Sequence, residues 1–131
     1  MKQLEQYIKE MGVDVDLDEF NLKEVQMKLP AIKHKWVGRL IRAKGELERL
    51  KSSRDNTIKM IAQEMIDTAT YQVTLATAQK AAEKHPNIKN IDESIKENRL
   101  IVDFLEKGER IFSGMSFDIK NIIEVMKLET L

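Results

Sequence analysis

The chain contains no cysteine, which excludes disulfides and thiolate metal sites and fits a reducing compartment, so a cytoplasmic location is expected. It has only two prolines, five glycines and 5% aromatic residues, against 34% charged and 42% hydrophobic ones. That balance favours long amphipathic helices over sheets. No apolar run exceeds a few residues, so nothing is expected to span a bilayer, and the N-terminus lacks the basic-then-apolar layout of a signal peptide. Net charge is absent too, with 22 basic residues balancing 22 acidic ones.

What is present is sharply segregated. Residues 1 to 21 carry two basic and six acidic side chains, residues 22 to 59 carry eleven and four, and residues 60 to 131 carry nine and twelve. Local fields rather than net charge select partners, and the middle segment concentrates the cations.

The length predicts one small helical domain. Leu4, Tyr7, Ile8 and Met11 outline a short amphipathic helix ending at Gly12. The acidic stretch that follows reads as a linker or helix start. Asp14, Asp16 and Asp18 have the first spacings of an EF-hand loop, but Glu19 stands where that loop needs glycine and Val25 where it needs its last carboxylate, so no metal is expected. A long basic helix is predicted over residues 22 to 66, with Pro30 marking a kink or a fresh helix start. Ile32, Trp36, Leu40, Ala43, Leu47, Leu50, Ile58, Ile61 and Met65 form its narrow apolar seam.

A turn near residues 67 to 73 precedes helices that return over residues 74 to 113, the longest with Ile88, Ile91, Ile95, Leu100, Val102, Leu105 and Ile111 on its apolar side. Gly114 is expected to end it, and Ser116 to cap a last helix over residues 116 to 129. Phe117, Ile119, Ile122, Ile123 and Met126 of that helix are candidates for self-association. The expected architecture is therefore all-α, an elongated helical hairpin or bundle with a long basic helix and a C-terminal oligomerisation helix.

Lys28, Lys35, Arg39, Arg42 and Arg49 fall on one flank of the seam, and Lys33, Lys44 and Lys51 on the other. Lys28, Lys35, Arg42 and Arg49 recur every seven residues, a stripe about 30 Å long at 1.5 Å per residue. Long basic side chains commonly flank a seam with their stems on apolar surface, yet residues 28 to 45 contain no acid to support them. A polyanionic partner explains the pattern economically. Trp36 could stack on a base or serve a core or subunit interface. With aromatics sparse, binding should rest on phosphates and be weakly sequence-specific. Catalysis finds no support: His34 and His85 each lack a nearby nucleophile or ligand cluster, no glycine loop cradles a phosphate, and no cofactor is expected.

Lys35-Trp36, followed by Lys44, Glu46-Leu47, Arg49 and Lys59, resembles the corresponding stretch of the UvsY-type recombination mediator proteins of T-even-like bacteriophages. "IKNIDESI" at 88 to 95, "IVDF" at 101 to 104 and "FDIKNIIEVMKLE" at 117 to 129 continue the resemblance from about Pro30 to the end. It implies a non-enzymatic factor, in the cytoplasm of an infected bacterial host, that acts in recombination and recombination-dependent replication. Such a factor binds single-stranded DNA, helps displace the phage single-strand-binding protein and promotes loading of a RecA-like, UvsX-type recombinase. It also implies a ring-shaped homo-oligomer of six or seven subunits. Lys59 matches the lysine of the family's Lys-Ala-Arg-Leu DNA-binding motif, whose arginine is here Ile61. On this reading Lys28, Lys33, Lys35, Arg39, Arg42, Lys44, Arg49, Lys51, Arg54 and Lys59 are the candidate DNA contacts. The competing expectation is a helical adaptor whose basic helix docks on an acidic protein partner. Residues 1 to 21 would serve as a partner hook or cover a neighbour's basic helix.

Overall fold

The structure, a computed structural model, describes residues 1–130. Among them are four α-helices and no strand: α1 (Lys2–Asp14), α2 (Leu22–Thr68), α3 (Leu75–Ala82) and α4 (Pro86–Glu129). The all-α expectation holds, and α2 begins where predicted and ends two residues beyond.

Two junctions differ from expectation. Helix α2 runs through Pro30 without restarting. Leu29 and Trp36 are buried on either side of it while Pro30 and Gln26 face solvent, so the carbonyl deprived of its i+4 donor can turn to water. Helix α4 likewise continues through Gly114 and Ser116, which overturns the separate helix over residues 116 to 129. Phe112, Met115 and Ile119 are all buried across that junction. Their burial outweighs a glycine penalty of about 1 kcal/mol.

The chain forms two compact units, residues 1–43 with 100–131 and residues 44–99, where length alone suggests a single core. In the first, α1 packs with the ends of α2 and α4 around Met11, Leu29, Trp36, Leu40, Leu105, Phe112 and Met115. Met11 lies over Gly108: a methyl added there would overlap Met11 Sδ at 2.6 Å and Cε closer still. In the second, Ile58 and Ala62 of α2, Ala78 and Ala82 of α3 and Ile88 of α4 form a smaller cluster. There α2 and α4 run antiparallel, with Arg54 reaching Asp92.

The apolar face of α4 is offset from the predicted one. Ile88, Ile95, Ile101, Leu105, Phe112, Met115 and Ile119 are buried, whereas Leu100 and Ile111 are half exposed. Two seam positions hold Asn98 and Gly108, both buried. A polar residue and a glycine at core spacing hide the three-and-four periodicity from a reading of apolar residues alone.

Local side-chain bonds account for the connections. Asp18 Oδ1 accepts from the backbone N–H of Phe20 and Asn21, and Asn21 Nδ2 donates to the Asp16 carbonyl, so these acidic and amide groups shape the turn into α2. Thr74 caps α3 by accepting from Thr77 N–H. His85 Nδ1 accepts from Asn87 N–H at the start of α4, a capping task in place of a chemical one.

Candidate nucleic-acid interface

The cations of α2 are positioned by its seam. With Trp36, Leu40 and Ala43 facing the first core, Lys35 and Arg39 lie beside that core and Lys28, Arg42 and Lys44 face outward. Where each basic side chain ends depends on the acids brought near it.

Helix α1 answers part of the stripe. Glu10 and Asp14 are four residues apart on α1, and Lys35 and Arg39 four apart on α2, so the pairs meet face to face. Lys35 Nζ lies 2.6 Å from Asp14 Oδ2 and 3.3 Å from Glu10 Oε1, and Arg39 Nη1 lies 2.6 Å from Glu10 Oε2. The hydrogen bond from Arg39 pulls the Glu10 carboxyl below its ordinary value; partial desolvation opposes it, and the hydrogen bond from Lys35 adds to the lowering.

Trp36 sits inside this arrangement. Its Nε1 donates to Asp14 Oδ2 at 2.8 Å, its ring stacks on Phe112 with centroids 6.2 Å apart and meets the Tyr7 ring edge-on at 5.7 Å. The Arg39 guanidinium lies 4.7 Å from its ring centroid and 4.9 Å from that of Tyr7. At 2% exposure, the indole offers no face on which a base could stack. Of the two sequence readings, the structure places Trp36 in the core of its own chain.

Other predicted cations have local partners. Lys28 pairs with Glu24, Arg49 with Glu46 and Lys51 with Glu48, all one helical turn away. Such exposed pairs contribute little, about 0–1 kcal/mol, and yield readily to a stronger anion. The Arg49 guanidinium donates to both Glu46 oxygens, which lowers Glu46 and raises Arg49. Arg54 Nε donates to Asp92 at 2.5 Å, and this hydrogen bond holds Arg54 above its ordinary value. Lys33, Arg42 and Lys59 have no ion pair among the described residues, and Arg42 and Lys59 are exposed.

At the departed motif, Lys59 points to solvent whereas Ile61 packs against the second cluster and Ala62 is fully buried. The position where the family motif carries arginine serves packing here. Of the C-terminal candidates, Phe117 and Ile123 are exposed and Ile122 and Met126 half-buried, but Ile119 is 4% exposed within its own unit and so is not free to meet another subunit.

The acids of α1 are what sequence reasoning missed. The i, i+4 match between Glu10, Asp14 and Lys35, Arg39 could have revealed them, and the ion pairs set these two acids against the basic helix of their own chain. No group of three or more metal-ligating side chains occurs among the described residues, and no helix there is long and apolar enough to cross a membrane.

Four helices and no strand among the described residues define an all-α protein. The chain superposes on crystal structures of the bacteriophage T4 recombination mediator protein UvsY. In lattice type IV the TM-score is 0.80 at 19% identity, covering 96% of this chain and 98% of that one. In lattice type II it is 0.77 at 17% identity, with 97% of each chain covered, and in lattice type I 0.75 at 17% identity, covering 92% and 96%. The likeness is one of fold, and at such coverage it takes in most of the N-terminal segment that the sequence resemblance leaves out. No protein-family model and no curated sequence matches the chain.

Proposed function

We propose that this protein is a recombination mediator, which binds single-stranded DNA and promotes loading of a RecA-like recombinase onto DNA covered by a single-strand-binding protein. The observation that carries the reading is the fold shared with a recombination mediator over nearly the full length of both chains. Arg42 and Lys59, exposed and without an ion pair among the described residues, and the weakly paired Lys28, Arg49 and Lys51 supply cations for a phosphate backbone. Binding of this kind is sequence-tolerant and salt-sensitive. Self-association through Phe117, Ile122, Ile123 and Met126 would repeat those cations around a ring, and linked weak contacts gain avidity through effective concentration. A strand held on such a ring would be bent away from its competitor and presented to the recombinase.

A second reading has its own support. The basic flank at Lys35 and Arg39 does receive an acidic helix, that of α1, so a helical adaptor docking on an acidic partner uses chemistry already at work in this chain. Fluorescence anisotropy of a labelled single strand across a salt series separates the two. Affinity that falls steeply with salt supports the mediator; no binding at low salt supports the adaptor. Recombinase assembly on DNA precoated with the single-strand-binding protein, with and without this protein, then tests the loading step.

A further inference from the structure

The cations of α2 beyond residue 50 face a second set carried by α4. Lys51, Arg54, Asp55, Asp92, Ile95, Lys96 and Arg99 line one open cleft of about 470 Å³ between α2 and α4 of the second unit. Lys51 and Arg54 are three residues apart on α2, and Lys96 and Arg99 three apart on α4, so each helix presents a cationic doublet on one face. Four basic groups meet two acidic ones. Asp92 is engaged by Arg54, and Lys51 makes a 3.5 Å contact with an exposed Glu48. Lys96 and Arg99 are exposed and have no ion pair among the described residues.

We propose that this cleft is a phosphate-binding site for single-stranded nucleic acid, with Lys96 and Arg99 of α4 gripping the backbone from the side opposite Lys51 and Arg54. The proposal rests on the DNA-binding reading above and places a contact where α4, not only α2, carries the strand. Its single apolar residue, Ile95, is buried, so the side-chain ends that the cleft presents are charged. No aromatic side chain lines it, so bases have no stacking platform and the phosphates are the recognised groups. A cleft with helices on both sides also focuses the field of its charges more strongly than one exposed flank does. Asp92 tunes the site: it neutralises Arg54 while the cleft is empty, and an incoming phosphate competes with it for the guanidinium.

The test is anisotropy of a labelled oligothymidylate over a salt series, with oligomer mass and thermal midpoint followed for every variant. Lys96→Gln with Arg99→Gln should weaken binding several-fold and flatten the log–log salt slope by about 1.4 per engaged subunit, about 0.7 for each phosphate no longer neutralised. Asp92→Asn, which removes a negative charge and releases Arg54, should bind more tightly. Lys80→Gln with Lys89→Gln, which removes the same charge from exposed positions of the same unit outside the cleft, should bind as the unaltered protein does. Normal binding by the Lys96/Arg99 variant overturns the cleft and leaves the DNA-binding reading standing. An equal loss in the Lys80/Lys89 control also overturns it, since only total charge would then matter, as does weaker binding by Asp92→Asn. Failure of the unaltered protein to bind the strand overturns the parent reading and this proposal with it.

Discussion

The indole N–H of Trp36 donates to the Asp14 carboxylate at 2.8 Å, tying the end of α1 to the buried tryptophan of α2. The same oxygen accepts from Lys35, so one acidic side chain satisfies a core donor and a flanking cation together. Asp14→Ala should therefore cost about 1–3 kcal/mol, the penalty for leaving a buried donor unpaired. Asp14→Asn keeps an acceptor and should cost less. Urea unfolding followed by Trp36 fluorescence measures both, and equal stability of the alanine variant and the unaltered protein would show that α1 is not held through this bond.

Acid should loosen the same attachment through Glu10. Its carboxyl is lowered from 4.5, chiefly by the hydrogen bond from Arg39. A carboxyl depressed in the folded state adds stability that is fully present above its unfolded value and is lost as pH falls through the folded one. The urea midpoint should thus drop as pH descends below about 4.5, and Glu10→Gln should flatten that part of the profile. Because Glu10 is about one-third exposed, solvent screens the effect and the flattening should be partial. A Glu10→Gln profile parallel to that of the unaltered protein would remove Glu10 as its source.

How far the sequence could be read depended on whether the deciding interaction was local. The seam of α2 was legible because apolar residues from Ile32 to Met65 recur at helical spacing on either side of the polar stretch at residues 51 to 57, and the structure buries or half-buries every one of them. The charge excess was legible for the same reason. Helix α4 was not, because Gly114 and Ser116 are genuine local stop and start signals, overruled by tertiary burial of Phe112, Met115 and Ile119. The ion pairs from Glu10 and Asp14 join residues more than twenty positions apart, so the acid-free stretch of residues 28 to 45 appeared to lack partners that α1 supplies. Lys96 and Arg99 were passed over because Asp92, Glu93 and Glu97 surround them in sequence; only the packing of α4 against α2 sorts these charges by face.

Glycines offer a contrast within one fold. None has a positive φ, so none is required by backbone conformation. Gly45 lies inside α2 with open space around its Cα, and Gly45→Ala should stabilise by about 0.5–1 kcal/mol through helix propensity. Gly108→Ala gains the same propensity but drives a methyl into Met11, which is itself buried. Overpacking costs about 1–3 kcal/mol, so the net should be destabilising. Adding Met11→Ala should remove the clash, making the two substitutions non-additive in a double-mutant cycle by thermal unfolding. Additive effects would mean that Met11 has room to move aside.

The last turns of α4 separate assembly from folding. Phe117 is 65% exposed while Ile119, two residues on, is 4% exposed. If the exposed residues mediate self-association, Phe117→Asp with Ile123→Asp should reduce the oligomer mass in light scattering and leave helix content unchanged by circular dichroism. Ile119→Asp should instead unfold the first unit, since it buries an unpaired charge. An unchanged mass in the Phe117/Ile123 variant would place the interface elsewhere.

The cations of α2 should divide by partner rather than by position in the stripe. Arg42 and Lys59 are exposed and without an ion pair among the described residues, so Arg42→Ala with Lys59→Ala should leave the unfolding midpoint nearly unchanged while weakening single-strand binding and lowering the salt slope by about 1.4 per engaged subunit. Lys35 is held by Asp14 and Glu10, and its replacement by alanine should cost stability first. Any weakening of DNA binding by Lys35→Ala should then track the loosening of α1, read as a lower urea midpoint. If Lys35→Ala weakens binding at full stability while Arg42→Ala with Lys59→Ala does not, the strand competes with α1 for Lys35. The ion pair to Asp14 would then be a gate on the interface.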